Sequence, residues 1–171
     1  MRITITGTPG TGKSTVAQIL SRKLSLPLYN LSDLIKKEKL YTSYDEKRDA
    51  FIVDIEKLKD FFKEKKDFIA EGLIAHYIPS DVIVILRAKP EVIISRLKER
   101  NYPQEKLNEN AESERIAFCA TEVFQNPLSP VIIHIDTTER KPEEVANVIM
   151  KGIKNGGLVE EIDWLEDQWD I

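Results

Sequence analysis

The chain of 171 residues is long enough for one compact domain with a full core and too short for two ordinary ones. Its net charge of −4 argues against a general nucleic-acid binder, which normally carries a basic excess. Its one cysteine excludes a disulfide framework, and the lack of any long apolar run excludes a signal peptide and a membrane span, so we expect a cytoplasmic protein.

Short apolar segments alternate along the chain with segments of helical pattern. In chain order these are RITIT, STVAQILSRKL, LPLYNL, a helical stretch to about Lys66, DFIAEG, DVIVILR, helices from about 90 to 125, and VIIHID. The alternation predicts an α/β fold with a parallel sheet and helices on both faces. The runs VIVIL and VIIHI are apolar throughout, as expected of strands that helices cover on both sides.

The first predicted strand is followed by GTPGTGKST, residues 7–15, which matches the phosphate-loop pattern G-x-x-x-x-G-K-[ST]. Glycines let the backbone wrap closely so that consecutive N–H groups point inward, and the helix beginning near Lys13 adds its positive end. Such a loop binds a polyphosphate. We expect the Lys13 ammonium to reach the β and γ phosphates and the Ser14 hydroxyl to join a Mg²⁺ shell.

The segment VIVILRAKPEVI bears on the class of phosphate-loop protein. A GTPase needs a guanine-reading N-K-x-D near this point, and residues 87–90 are RAKP instead. The segment resembles the nucleoside monophosphate kinases, in which a strand ends near an arginine and the next helix carries further arginines into a mobile lid. Here those arginines are Arg87, Arg96 and Arg100. Arg96 and Arg100, which lie on the helix, either neutralise charge in the transition state or form a solvated basic helix edge.

Two further sequence segments indicate one subgroup of these kinases. Residues 29–45 and the stretch ERNYPQEKL occur in the order and spacing of the CINAP-type (coilin-interacting nuclear ATPase protein) adenylate kinases, which the chain resembles from about residue 3 to about residue 150. The resemblance implies one three-layer P-loop domain over residues 1–171. It also implies an inserted monophosphate-binding lobe at about 30–53 and a lid at about 101–111, while an acidic tail at about 155–171 lies outside it.

The activity implied by the resemblance is Mg²⁺-dependent transfer from ATP to AMP, giving two ADP, with broad specificity and an accompanying ATPase activity. It also implies a role in rRNA processing and small-subunit maturation. The implied partners are AMP, a basic small-subunit ribosomal protein and, indirectly, pre-rRNA, without a membrane. One alternative is an assembly factor that uses ATP to bind and release the ribosomal protein, with little kinase flux. Another is a kinase for a different small substrate.

The resemblance also assigns roles to individual residues. Lys13, Arg96 and Arg100 are the expected catalytic residues, and ATP is expected to contact Arg100 at the lid and Lys141 beside the adenine. The expected phosphate-binding residues of the loop are Gly10, Thr11, Gly12, Lys13, Ser14 and Thr15.

The acceptor site departs from the usual adenylate kinase pattern. Lys36 stands where those enzymes carry an arginine that clamps the AMP phosphate, and a lysine is a weaker clamp, which favours ATP hydrolysis. Asp33 either contributes to substrate binding or caps a helix. Glu71 ends the third strand and is expected to orient Mg²⁺ through water, although Leu73 replaces the histidine that the family pattern often has there.

The two histidines, the cysteine and the tail allow structural interpretations. His76 either orients a water or a phosphate or is a hydrogen-bonded structural residue. His134 is expected in the core, and Cys119 is expected to be a buried thiol rather than a nucleophile. In the tail, Trp164, Leu165 and Trp169 either dock as one helical face or belong to a mobile or partner-binding segment.

Overall fold

A computed structural model describes residues 1–165 of the chain. Within these residues the chain forms eight strands and seven α-helices, with a short 3₁₀ helix at Ala75–Tyr77. The elements are β1 (Arg2–Thr6), α1 (Lys13–Leu24), β2 (Leu28–Asn30), α2 (Leu31–Lys37), β3 (Tyr41–Asp45), β4 (Ala50–Val53), α3 (Ile55–Lys63), β5 (Phe68–Glu71), β6 (Val82–Arg87), α4 (Pro90–Glu99), α5 (Gln104–Arg115), α6 (Phe118–Gln125), β7 (Val131–Asp136), α7 (Pro142–Lys154) and β8 (Leu158–Val159).

The central sheet has six parallel strands in the order β2-β5-β1-β6-β7-β8. β1 is an inner strand, and Ile3 aligns with Ile69 of β5 on one side and with Val82 of β6 on the other. The predicted α/β class with a parallel sheet is confirmed. Because parallel strands carry their carboxyl ends at one edge, the loops after β1, β5, β6 and β7 meet there.

Alternate side chains of the inner strands enter two different cores. On one face, Ile3 and Ile5 pack with the apolar sides of α1 and α7. On the other face, Ile83 and Ile85 pack with α6, and Phe68 packs with α2 and α3. The apolar strand runs are therefore buried from both sides, because side chains alternate between the two faces of a sheet.

The expectation of helix up to about Lys66 is wrong over residues 41–53. There β3 and β4 form an antiparallel hairpin, in which the rings of Tyr41 and Phe51 lie 4.4 Å apart. At its turn, the Asp45 carboxylate accepts hydrogen bonds from the backbone N–H groups of Lys47 and Arg48. Aromatic cross-strand pairs and an aspartate-stabilised turn thus outweigh the helical tendency of the charged residues between them.

The predicted helices between about 90 and 125 are confirmed as three separate helices, α4, α5 and α6. The chain leaves α4 at Asn101 and enters α6 at Ala117, both with positive φ, 60° and 55°. Pro90 and Pro142 occupy the first turns of α4 and α7, where a missing backbone N–H costs nothing. Among residues 1–165 no helix is both long and apolar enough to cross a membrane.

The first residues of the tail add a short strand to the central sheet. After α7, β8 pairs with β7, and the following segment is not helical as far as Leu165. Trp164 is buried with Lys89 Nζ 6.0 Å from its ring centre, whereas Leu165 is exposed. The expected helical face is therefore wrong for these two residues, and Trp169 lies outside the described residues.

Candidate active site

The loop at residues 7–12 joins β1 to α1 at the carboxyl edge of the sheet. Gly7, Gly10 and Gly12 all have positive φ, and a Cβ at Gly7 would lie 2.5 Å from the Leu86 carbonyl oxygen. The Thr11 hydroxyl closes the loop on itself by donating to the Thr8 carbonyl over 2.8 Å. The glycines therefore permit both the wrapped backbone and its close approach to β6.

Lys13, the first residue of α1, folds back over this loop. Its ammonium donates to the carbonyl oxygens of Gly7 (2.8 Å) and Thr8 (3.2 Å). Burial lowers the pKa of Lys13 from 10.5 to about 8, against the opposing effect of Cys119 and Glu71. The ammonium thus loses its proton as the pH rises through about 8, and a polyphosphate bound beside it would favour the charged form.

Glu71, at the end of β5, forms an oxygen site beside α1. Its carboxylate is buried and accepts a hydrogen bond from Ser14 Oγ at 3.0 Å and another from Asn30 Nδ2. A hydroxyl and a carboxylate are hard donors that suit Mg²⁺, which keeps most of its shell as water and phosphate oxygens. The residues therefore fit the expected metal role of Ser14 and Glu71.

Asn30 is a site residue that the sequence reading missed. Its Nδ2 holds Glu71, and its Oδ1 accepts from the backbone N–H of Asp33 at 3.0 Å, so Asn30 is the N-cap of α2. The capping interpretation of Asp33 is wrong, because Asp33 lies in the first turn with its side chain exposed. The position of an asparagine directly before a helical pattern was the available signal.

Two cavities meet at the phosphate loop. The larger, about 310 Å³, extends to the loop after β7 and to Val145 of α7, with Thr137 and Arg140 in its wall. The smaller, about 190 Å³, extends towards α2 and β5. Arg100 lines both. The residues that line the smaller cavity opposite the loop are Asn30, Ser32, Glu71, Leu73 and Tyr102.

The three candidate arginines have different environments. Arg96 lines the larger cavity and donates from Nη1 to the Gly10 carbonyl oxygen at 2.9 Å. Its pKa is lowered by burial and by the neighbouring Arg100. Arg87 is 1% exposed and is paired with Glu114. Arg87 is the last residue of β6, the strand-end position that the resemblance gives it, and it lines neither cavity, whereas Arg96 and Arg100 lie at the site.

Glu114, near the end of α5, is a second residue that the sequence reading missed. Its carboxylate accepts hydrogen bonds from Arg87 Nε at 2.6 Å, Thr8 Oγ1 at 2.9 Å and the Ala88 backbone N–H at 3.1 Å. Burial raises the pKa of Glu114, and Arg87 opposes that shift. The buried pair thus connects α5 to the phosphate loop, and nothing in the charged run ESER distinguishes it.

Three of the predicted ligand-binding residues lie away from the cavity walls. Lys36 and Asp33 are exposed on α2, and neither lines the two cavities. Lys141 is the exposed N-cap of α7, while its neighbours Arg140 and Pro142 line the larger cavity. The roles assigned to Lys36, Asp33 and Lys141 stay predictions.

The histidines and the cysteine have structural environments. His76 lies between Thr6 Oγ1 (3.0 Å) and the Glu122 carboxylate (2.6 Å), which agrees with its structural interpretation. His134 is buried. Its pKa is lowered to about 4, mainly by desolvation and secondly by the positive charge of Arg87. Burial raises the pKa of the Cys119 thiol to about 11. The expectations of a core histidine and a buried thiol are confirmed.

Comparison with known proteins adds a family to this geometry. Residues 3–117 match the AAA domain family. A Methanocaldococcus jannaschii protein named "putative adenylate kinase" is 36% identical over 178 aligned residues, which cover 99% of this chain and 96% of the relative. A Methanosarcina acetivorans protein of the same name is 40% identical, with 88% and 85% covered.

Solved structures with low sequence identity share the fold. Shikimate kinase from Acinetobacter baumannii superposes with a TM-score of 0.64 at 16% identity, covering 90% of this chain and 93% of that one. Deoxyadenosine kinase from M. mycoides, solved with bound dATP, gives a TM-score of 0.57 at 18% identity, covering 90% and 100%. At these identities the likeness concerns the fold, which is that of P-loop kinases.

Proposed function

The chain belongs to the AAA domain family and to the archaeal family of these relatives, and on this premise we propose that it is a cytoplasmic adenylate kinase that transfers the γ-phosphoryl group of ATP to AMP. Family membership makes the chain a phosphotransferase. The observation that carries the proposal is the meeting of two cavities at the phosphate loop and Arg100, with Lys13 lining the smaller of them. A phosphoryl transfer needs a donor and an acceptor on opposite sides of one phosphate group.

In the proposed complex, ATP occupies the larger cavity and AMP the smaller. An oxygen of the AMP phosphate attacks the γ phosphorus, the bond to the bridging oxygen breaks, and two ADP remain. Lys13, Arg96 and Arg100 balance the charge on the transferred group. Mg²⁺ held beside Ser14 and Glu71 would supply further positive charge to the phosphates. We assign residues 30–53 to the monophosphate lobe and 101–111 to the lid.

The weak acceptor contact supports a second, ATPase activity. Lys36 is exposed on α2, and its side chain forms no hydrogen bond or ion pair within residues 1–165. An AMP phosphate held only by such a mobile ammonium leaves room for water and for other nucleoside monophosphates, so we also propose broad acceptor specificity. The segments at residues 29–45 and ERNYPQEKL, which begins at Glu99, support the proposal that the chain belongs to the CINAP-type subgroup.

The test of the kinase proposal measures ADP and inorganic phosphate from ATP and Mg²⁺, with and without AMP. We expect AMP to accelerate ADP formation, with two ADP for each ATP consumed. Replacing AMP by CMP or dAMP in the same assay tests the acceptor range. If phosphate forms at a rate that AMP does not change, the chain is an ATPase and the kinase proposal is wrong.

A role in small-subunit maturation is a further part of the proposal. It rests on the CINAP resemblance and on the net charge of −4, since an acidic chain associates faster with a basic ribosomal protein. We expect the chain to co-elute with that protein at moderate salt and to release it when ATP is added. An acidic protein of similar size is the control, and equal retention of both would count against the role.

A further inference from the structure

Glu160, the residue after β8, is fixed at three points. Its backbone N–H donates to the His134 carbonyl oxygen, and its carbonyl oxygen lies 3.0 Å from His134 Nδ1. Its carboxylate is paired with the Arg140 guanidinium. Arg87 donates to the other ring nitrogen of His134, so the neutral ring carries its proton on Nδ1 and donates it to Glu160. The backbone of Glu160 is therefore held against His134, which places its carboxylate beside Arg140.

Arg140 lies in the wall of the larger cavity. Its Nη1 donates both to the Asp136 carbonyl oxygen at 3.0 Å and to Glu160, and both side chains are about two-thirds buried. These two acceptors hold one corner of the guanidinium. About a third of the Arg140 side chain stays exposed in the cavity wall, and a purine base stacks well on a guanidinium.

The same cavity carries Arg96 and Arg100. These like charges repel one another, and the carboxylates that attract Arg140 are Glu160 first, then Asp136 and Glu144. Glu160 is in direct contact with Arg140 and is absent from the cavity wall, so it compensates the arginine without occupying the space for a ligand.

We propose that Glu160 is a positioning residue for the donor nucleotide, which holds the Arg140 guanidinium in place against the base of a purine nucleoside triphosphate. The short strand β8 thereby contributes to nucleotide affinity from outside the cavity. This inference rests on the proposed function only in placing the donor in the larger cavity.

The experiment measures the binding of a non-hydrolysable ATP analogue with Mg²⁺ by calorimetry, and steady-state kinetics for ATP and AMP. We expect Glu160→Gln to raise the Kd of the analogue and the KM for ATP about fivefold, the effect of one partly buried ion pair. The kcat and the KM for AMP should stay within about twofold of the wild-type values. A general loosening of the fold would change both, so this result would exclude it.

Two further variants make the test specific. Arg140→Gln should weaken binding to a similar extent, and adding Glu160→Gln to it should add less than about twofold, since the two residues act as a unit. Glu143→Gln breaks the ion pair between α7 and Lys23 away from the cavity and is the matched control, with unchanged binding.

Unchanged or tighter binding by Glu160→Gln, or additive effects in the double variant, would overturn the proposal. The binding measurement needs no turnover. A wild-type chain that binds the analogue but does not use AMP therefore contradicts the kinase proposal and leaves the role of Glu160 to be decided by the variants.

Discussion

Glu114→Ala is expected to lower the free energy of unfolding by about 3–5 kcal/mol, because it leaves the buried Arg87 charged and without its carboxylate. Both side chains are at most 2% exposed, so water cannot replace the lost partner. The same substitution removes the acceptors of the Thr8 hydroxyl and the Ala88 backbone N–H. Denaturant unfolding of the purified variant measures the loss.

Glu112→Ala is the control for this prediction. Glu112 lies on the same helix and forms an exposed ion pair with Arg115, so its removal should cost less than about 1 kcal/mol. A double variant, Arg87→Met with Glu114→Leu, removes both charges and should recover part of the stability. If Glu114→Ala and Glu112→Ala lower the free energy of unfolding equally, the buried pair does not stabilise the fold as expected.

Lys13→Ala is expected to reduce kcat about 10²–10³-fold, the usual cost of removing one preorganised donor from a charged transition state. The ammonium is held by two loop carbonyls, and Lys13 lines the smaller cavity, so the charge is in place before a nucleotide arrives. Rates of ADP formation at saturating ATP and AMP measure the effect.

Lys23→Ala removes a lysine from the same helix α1 and is the matched control. Lys23 forms a surface ion pair with Glu143, and its loss should leave kcat within about twofold. If Lys13→Ala keeps more than about a tenth of the wild-type kcat while still folded, the phosphate loop does not carry the chemistry as proposed.

The sheet could be predicted from the sequence because its strands are short apolar runs at regular intervals, each followed by a helical pattern. The phosphate loop could be predicted for a related reason, since all of its chemistry lies within residues 7–15. The hairpin at 41–53 could not, because its stability comes from Tyr41 and Phe51 meeting across strands, a contact that local helical tendency does not indicate.

The missed site residues share one property: each acts through a partner that is distant in the sequence. Asn30 donates to Glu71, and Glu114 pairs with Arg87. For Arg87, the sequence predicted the place at the end of a strand but did not indicate the partner. Only the packing of α5 against β6 shows that a buried carboxylate neutralises it.

The inner position of β1 determines when the sheet can form during synthesis. Its residues pair with Phe68–Glu71 of β5 and with Val82–Ile85 of β6, both far downstream. During synthesis, β1 therefore stays unpaired until both partner strands have left the ribosome. Parallel strand pairs so far apart in the sequence also form slowly. Thr4 and Thr6 alternate with isoleucines in β1, and their polar hydroxyls make the unpaired strand less prone to aggregate. In the native protein their hydroxyls are satisfied by Ser80 and by the Leu73 carbonyl, so neither threonine leaves its hydroxyl unpaired.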